Sequence, residues 1–287
     1  MRKTLTRIVA TAALASAGLG VQVLATSPAQ ALAPPALERT VGESATSTLA
    51  AKTAKAICPP GTVVLGGGAE IVGPFAADPV KLVGSFPVQE NGAFKWEVRA
   101  EAPAGFSGSW SVRSFAVCGP APAGYRIFAE PDTAAASATF KTAATNCPGT
   151  DRAIGSGARV TTSGTSTGEI GLQLYRTSGP RDISRAAARE DATGFSGSWT
   201  LNSYAICTLP NAVPGAAPDG SLTQGILVSD DCPTGTFVHG PGGGAGLTEN
   251  GLTWLRYLTV SPDLRTVEAR MSAPSSNGTI TSSVCAR

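Results

Sequence analysis

Gly105-Phe106-Ser107-Gly108-Ser109-Trp110 recurs unchanged as Gly194-Phe195-Ser196-Gly197-Ser198-Trp199. Beyond each copy a matching run ends on a cysteine, Phe115-Ala116-Val117-Cys118 and then Tyr204-Ala205-Ile206-Cys207. Upstream, each copy opens on another cysteine, in Cys58-Pro-Pro-Gly-Thr and Cys147-Pro-Gly-Thr. A third, more worn copy opens at Cys232-Pro-Thr-Gly-Thr and closes at Ser283-Val284-Cys285. Opening and closing cysteines stand 60, 60 and 53 residues apart. Self-similarity at this period is the mark of a repeat architecture.

Other landmarks keep the same order in each copy. A glycine cluster ending in alanine follows each opening: Gly66-Gly-Gly-Ala69, Gly155-Ser-Gly-Ala158 and Gly242-Gly-Gly-Ala245. Pro87, Pro180 or Pro262 then ends an apolar run. Pro/Gly-rich seams at 119–124 and 209–220 divide the chain into repeats 32–119, 120–208 and 209–287.

Within a repeat the period is two. Phe94, Trp96, Val98 and Ala100 alternate with Lys95, Glu97, Arg99 and Glu101, the pattern of a half-buried strand. Helix signals are almost absent. Ile183 to Glu190 has helix-friendly composition, yet its counterpart in the first repeat is the strongest strand of the chain, so it reads as a strand. Arg185 and Arg189 then fall on the phase that is apolar in the first repeat. Four or five short strands per repeat predict an all-β protein with a pseudo-threefold, β-prism-like assembly, each repeat giving one sheet to a shared core. Three small independent β-sandwich units are the alternative.

Residues 1–31 have the three parts of a secretory signal. Arg2, Lys3 and Arg7 form a basic start, Ile8 to Ala25 is apolar, and Ala29-Gln-Ala31 offers the small residues of a cleavage site. The expected product is exported, with no membrane attachment after cleavage. The chain has 22 basic and 20 acidic residues, and loss of those three basic residues leaves a near-neutral body. Such a body lacks the basic field that nucleic acid or an anionic membrane requires. Gly 34 and Pro 21 are too few for low complexity, and 42% hydrophobic residues can build a core.

All six cysteines follow the leader, and an even number in an exported chain reads as disulfides. Two pairings respect the repeat. Closure within repeats joins Cys58 to Cys118, Cys147 to Cys207 and Cys232 to Cys285. Linkage between neighbours joins Cys118 to Cys147, Cys207 to Cys232 and Cys58 to Cys285. Closure within repeats is favoured, because each duplicated unit then carries its own cross-link. No C-x-x-C pair is present and His239 is the only histidine, so no metal and no cofactor are expected.

His239 is also the only imidazole base. It stands seven residues after Cys232, where the sister repeats have Leu65 and Ile154, so it reads as a substitution at an apolar strand position. Ser-His-Asp and Cys-His mechanisms fall with it. Glu101, Glu190 and Glu268 each lie 17 residues before a closing cysteine. They read either as a threefold carboxylate set for a repeated ligand or as solvent-facing strand residues copied by duplication. Trp110 and Trp199 would stack sugar rings if exposed and are core residues otherwise. The glycine clusters lack the Lys-Ser/Thr ending of a phosphate loop and read as bends or bulges where sheets approach closely. Asp230-Asp231 reads as a solvated loop, and Asn277-Gly-Thr279 fits a glycosylation acceptor.

The phrase Cys-Pro-x-Gly-Thr, Gly-Gly-Gly-Ala, Trp, Tyr/Phe-Ala-x-Cys resembles repeats in secreted proteins of high-GC Gram-positive, actinobacterial type. That resemblance implies export and duplication and brings no activity or site residues. The opening phrase and the count of three are also similar to the vitelline membrane outer layer proteins, which implies a β-prism. The expected function is a secreted, non-catalytic binding or extracellular structural protein with an extracellular glycan or protein partner. A carbohydrate- or cell-wall-binding, lectin-like module is the alternative, with a protease inhibitor or glycan-acting enzyme behind it.

Overall fold

A computed structural model describes residues 36–73, 79–131, 137–164, 168–178, 183–214, 216–223, 226–245, 252–273 and 278–287. The signal sequence, Pro180 and Asn277 lie outside them. The first repeat forms β1 (Glu38–Glu43), β2 (Ala51–Ile57), β3 (Val63–Val72), β4 (Lys81–Glu90), β5 (Ala93–Glu101) and β6 (Ser111–Gly119). The second forms β7 (Arg126–Pro131), β8 (Phe140–Asn146), β9 (Arg152–Thr162), β10 (Ile170–Ser178), β11 (Ile183–Glu190) and β12 (Trp199–Thr208). The third forms β13 (Ala217–Thr223), β14 (Leu227–Asp231), β15 (Phe237–Ala245), β16 (Leu255–Val260), β17 (Thr266–Met271) and β18 (Thr279–Ala286). Ile183–Glu190 is a strand, as its repeat counterpart requires.

The strands build three six-stranded antiparallel sheets around one core. Sheet I has the order β1-β6-β3-β16-β17-β14, sheet II the order β2-β5-β4-β9-β12-β7, and sheet III the order β13-β18-β15-β10-β11-β8. A repeat therefore does not supply one sheet. It supplies two three-stranded halves to two different sheets, and each sheet is completed by the neighbouring repeat. The joins are short ladders: Glu70 and Ala69 pair with Tyr257 and Leu258, Arg159 and Ala158 with Gly84 and Ser85, and Gly244 and Gly243 with Leu174 and Tyr175. The two halves of one repeat face each other across the interior, so each repeat is also a small two-layer unit. Hydrogen bonds cross between them, from Ser114 Oγ to Trp96 O (2.6 Å) and from Ser203 Oγ to Ser184 O (3.1 Å).

Each disulfide lies within a repeat and bridges two sheets. Cys58 follows β2 of sheet II and bonds Cys118 of sheet I; Cys147 follows β8 of sheet III and bonds Cys207 of sheet II; Cys232 follows β14 of sheet I and bonds Cys285 of sheet III. The opening phrase is the turn that places each bridge. Gly61 and Gly235 sit at φ 83° and 82°, where a side chain would be strained, and the amides of Thr62 and Thr236 bond back to Pro59 O and Pro233 O.

The glycine clusters mark the pseudo-threefold axis. Leu65, Ile154 and His239 are the extra residues of three equivalent β-bulges, in β3, β9 and β15. The glycine after each bulge touches the preceding repeat's bulge in a closed cycle. An added Cβ would lie 2.5 Å from His239 O at Gly66, 2.3 Å from Leu65 O at Gly155 and 1.9 Å from Ile154 O at Gly240. Only glycine lets three backbones meet so closely. The structural equivalent of Gly66 is thus Gly240, two residues before the Gly242-Gly-Gly-Ala245 run that the sequence aligns with it.

Lys81 of the first repeat ties all three repeats together. It donates to Gly168 O (2.5 Å) and Asp191 Oδ2 (2.8 Å) of the second, and its ammonium sits 4.9 Å from the ring centre of Trp254 in the third. Burial pushes the Asp191 carboxyl up, but hydrogen bonds from Lys81 and Thr193 and the charge of Lys81 outweigh it and hold the group below the ordinary carboxylate range.

Candidate functional site

The two repeated tryptophans face inward. Trp110 is 0% and Trp199 1% exposed. Each carries a lysine ammonium on its ring, Lys52 at 5.1 Å and Lys141 at 4.9 Å. Lys52 Nζ also donates to Ala45 O (2.9 Å) and Ser47 Oγ (2.5 Å), and Lys141 Nζ to Trp199 O (2.6 Å). These are structural cation–π pairs copied by duplication, and a buried ring has no face to offer a sugar.

Glu101, Glu190 and Glu268 do not occupy equivalent places. The register makes Ala100, Ala188 and Met271 equivalent, since they pair with Leu82, Leu172 and Leu255 beside matching bulges at Val83, Gln173 and Arg256. Glu190 therefore matches Ala102, and Glu268 matches Glu97. The loop from Glu190 to Gly194 is one residue longer than that from Ala102 to Gly105, so counting from the closing cysteine slips by one there. A one-residue slip moves every side chain to the other face. It also accounts for Arg185 and Arg189, which match Glu97 and Glu101 and lie on the polar phase after all. Glu101 is half-buried at the end of β5. Glu190 is buried and accepts from Trp199 Nε1 (2.8 Å). Glu190 also lines a recess of about 340 Å³ with Glu169, Thr193 and Phe195, and Glu268 lies at a larger groove on sheet I.

That groove, about 510 Å³, runs along the outer face of sheet I where β3 of the first repeat meets β16 of the third. Glu70, Tyr257, Glu268, Arg256, Arg270 and the exposed Leu227 line it. Tyr257 Oη donates to Glu268 Oε2 (2.9 Å), and Arg113 bridges Glu70 (3.2 Å) and Glu43 (2.8 Å) behind the groove. Burial, then the bond to Glu268, pushes the Tyr257 phenol well above its ordinary range. Burial, helped by the charge of Arg270, brings the Arg256 guanidinium down to about 10. Sequence reasoning nominated only Glu268 of this set. The signal for the rest lies in mismatch between repeats: Tyr257 stands where the sister repeats have Gly84 and Leu174, and Glu70 where they have Arg159 and Gly244.

The other two outer faces carry different chemistry on the same backbone. On sheet II, Phe86 stacks on Tyr204 (5.0 Å), with Arg99 and Arg159 at 5.7 and 5.5 Å from the Phe86 ring centre. On sheet III, Arg176 and Arg185 stand directly opposite each other. An aromatic recess, also about 510 Å³, gathers Phe94, Tyr125, Ile127 and Phe128 between the first and second repeats. Among the described residues, no group of three His, Cys, Asp or Glu converges to hold a metal. No protein-family model matches the chain, and neither does any curated protein sequence.

Proposed function

We propose that this is an exported, non-catalytic binding protein that holds a glycan in the groove between β3 and β16. One observation carries the reading. Glu70, Tyr257 and Arg256 form a mixed set of acceptors and donors at positions the sister repeats fill with unrelated residues, so the fold does not demand them, and they stand beside Arg270 and Glu268, whose counterparts in the first repeat are Arg99 and Glu97. Alternating carboxylate, phenol and guanidinium groups suit a ligand rich in hydroxyls, and Leu227 offers an apolar edge. The secretory leader and three disulfides support an extracellular setting.

Retention of the purified protein on chitin, cellulose and peptidoglycan, followed by a glycan array, tests the proposal. Binding to at least one glycan, lost in a Glu70→Gln/Glu268→Gln variant with unchanged circular dichroism, is the expected result; absence of retention on every glycan sinks it. Because Glu70 and Glu268 share one groove, a glycan-acting enzyme is the second reading. Glu70 is ion-paired and Glu268 accepts from Tyr257, which suits holding hydroxyls better than donating a proton. New reducing ends on incubation with the bound glycan would favour that second reading. A protein partner would instead use the aromatic recess, and Phe128→Ala would weaken co-purification from culture supernatant.

A further inference from the structure

Equivalent strand positions carry opposite electrostatics on sheets II and III. On sheet II, Glu97 of β5 is neutralised by Lys55 of β2 (3.2 Å) and by Arg99 (2.6 Å), and Phe86 of β4 stands directly opposite it. On sheet III the register puts Arg185 at the place of Glu97, Ala144 at that of Lys55, Ala187 at that of Arg99 and Arg176 at that of Phe86. The carboxylate has become a cation, and both of its partners have become alanines. The third repeat keeps a carboxylate at this place, Glu268, opposite Thr259.

Like charges directly opposite each other on neighbouring strands destabilise the pairing, so the exchange asks for an explanation. Burial, and then the charge of Arg185, holds the Arg176 guanidinium below its ordinary range. Among the described residues, neither arginine has a carboxylate within ion-pair reach; the ion pairs belong to other residues. On its other side Arg176 meets Gly242, where an added Cβ would lie 2.7 Å from Arg176 Cβ, so no side chain there competes for the guanidinium.

Two adjacent guanidiniums present N–H forks that match the oxygens of a carboxylate or sulfate, and such charge-assisted bonds are about twice as strong as neutral ones. Arg185 is exposed, so a single small ion held there competes with its own hydration, whereas a polymer that repeats its charge gains from every further contact. Arg189 lies four residues along β11 on the same face, about 13 Å away at the rise of a strand. Thr142 and Asn146, exposed on the edge strand β8, offer hydrogen-bonding groups to sugar hydroxyls. A nucleic acid would need a more extended basic field than three arginines on a near-neutral body.

We propose that the outer face of sheet III is a second binding surface, separate from the groove on sheet I, which takes an acidic polysaccharide and receives a sugar carboxylate or sulfate between Arg176 and Arg185. It exists in one copy, because only the β10–β11 pair sets two cations opposite each other at this position.

Polygalacturonate and its methyl ester share a backbone and differ in charge, as do dextran sulfate and dextran. The purified protein is expected to bind the charged member of at least one pair about tenfold more tightly than the neutral member, and more weakly as salt is raised. Arg185→Glu restores the residue type of the first repeat and sets opposite charges across from each other. Its denaturation midpoint is expected to be no lower than that of the wild type, while binding of the charged polymer falls at least about tenfold. Arg176→Gln removes one guanidinium without adding a charge and is expected to weaken binding about fivefold, which keeps the test open should Arg185→Glu fail to fold. No preference for the charged member in either pair overturns the proposal, as does undiminished binding in a folded variant. Tighter binding of a thymidine oligonucleotide of equal charge, lost in the same variants, would assign the face to nucleic acid and overturn it as well.

Discussion

Along the axis the three repeats are nearly interchangeable, while on the outer faces of the sheets they are strangers. At the axis each repeat has a bulge residue and then a glycine set against the preceding repeat's carbonyl, in the same cyclic order. On the faces, the position of Tyr257 is held by Gly84 or Leu174, and that of Glu70 by Arg159 or Gly244. The contrast follows from what each place must do. Backbones that nearly touch leave no room for a side chain, whereas an outward position on a strand accepts almost any residue once its neighbours close the core. Divergence among copies therefore points to ligand chemistry, and sameness points to architecture.

The strongest way to break this contrast is to insert a side chain at the axis. Gly240→Val would put a Cβ 1.9 Å from Ile154 O and should cost more than about 5 kcal/mol, enough to abolish the near-ultraviolet circular dichroism of the folded protein. A folded Gly240→Val protein would show that the axis is not tightly packed. Next in size, replacing either of the cysteine pairs 58/118 and 147/207 by serine should cost roughly 4 kcal/mol in the chain-entropy model, read as a lower denaturation midpoint. The 232/285 pair closes a slightly shorter loop and should cost nearly as much. Unequal losses would mean that the repeats are less alike in energy than in geometry.

His239 sharpens the contrast, being the one odd residue at the axis. The unfolded imidazole titrates at its ordinary 6.5 and the folded one at about 4, so between these values the unfolded chain binds more protons. Stability is full above pH 6.5 and falls as the pH drops to 4, by on the order of 3 kcal/mol at 1.36 kcal/mol per pH unit. Chemical denaturation across that window should show the loss in wild type and not in His239→Leu. The smallest expected effect on stability belongs to the outer face. Tyr257→Phe removes one partly exposed hydrogen bond and should change stability by less than about 1 kcal/mol while weakening glycan retention. A large loss of stability would make Tyr257 part of the architecture.

Much of the fold was legible because its rules are local or arithmetical. Alternation over Phe94–Glu101 marks a strand, and paired cysteines at repeated spacing mark cross-links within a repeat. The sharing of sheets left no such mark, since repeats join through ladders only two residues long, such as Glu70/Tyr257 and Ala69/Leu258. A join that brief has no periodicity to read. The threefold glutamate spacing failed for a different reason: it counts across loops of unequal length, so Glu190 lands in the interior beside Trp199 and Glu268 on the surface. Within the groove, Glu70 and Arg256 stand 186 positions apart in sequence numbering yet line one wall, and no spacing in one chain predicts such a meeting.

A single copy of the module, cut free, would expose two raw sheet edges: β3, which needs β16, and β4, which needs β9. Two copies in tandem would still leave one edge open at each end. Only the third closes the circle. An ancestral one-module chain could have reached this architecture by gathering three identical subunits, and such a trimer would have carried three matching faces. Within one polypeptide, each face can change alone.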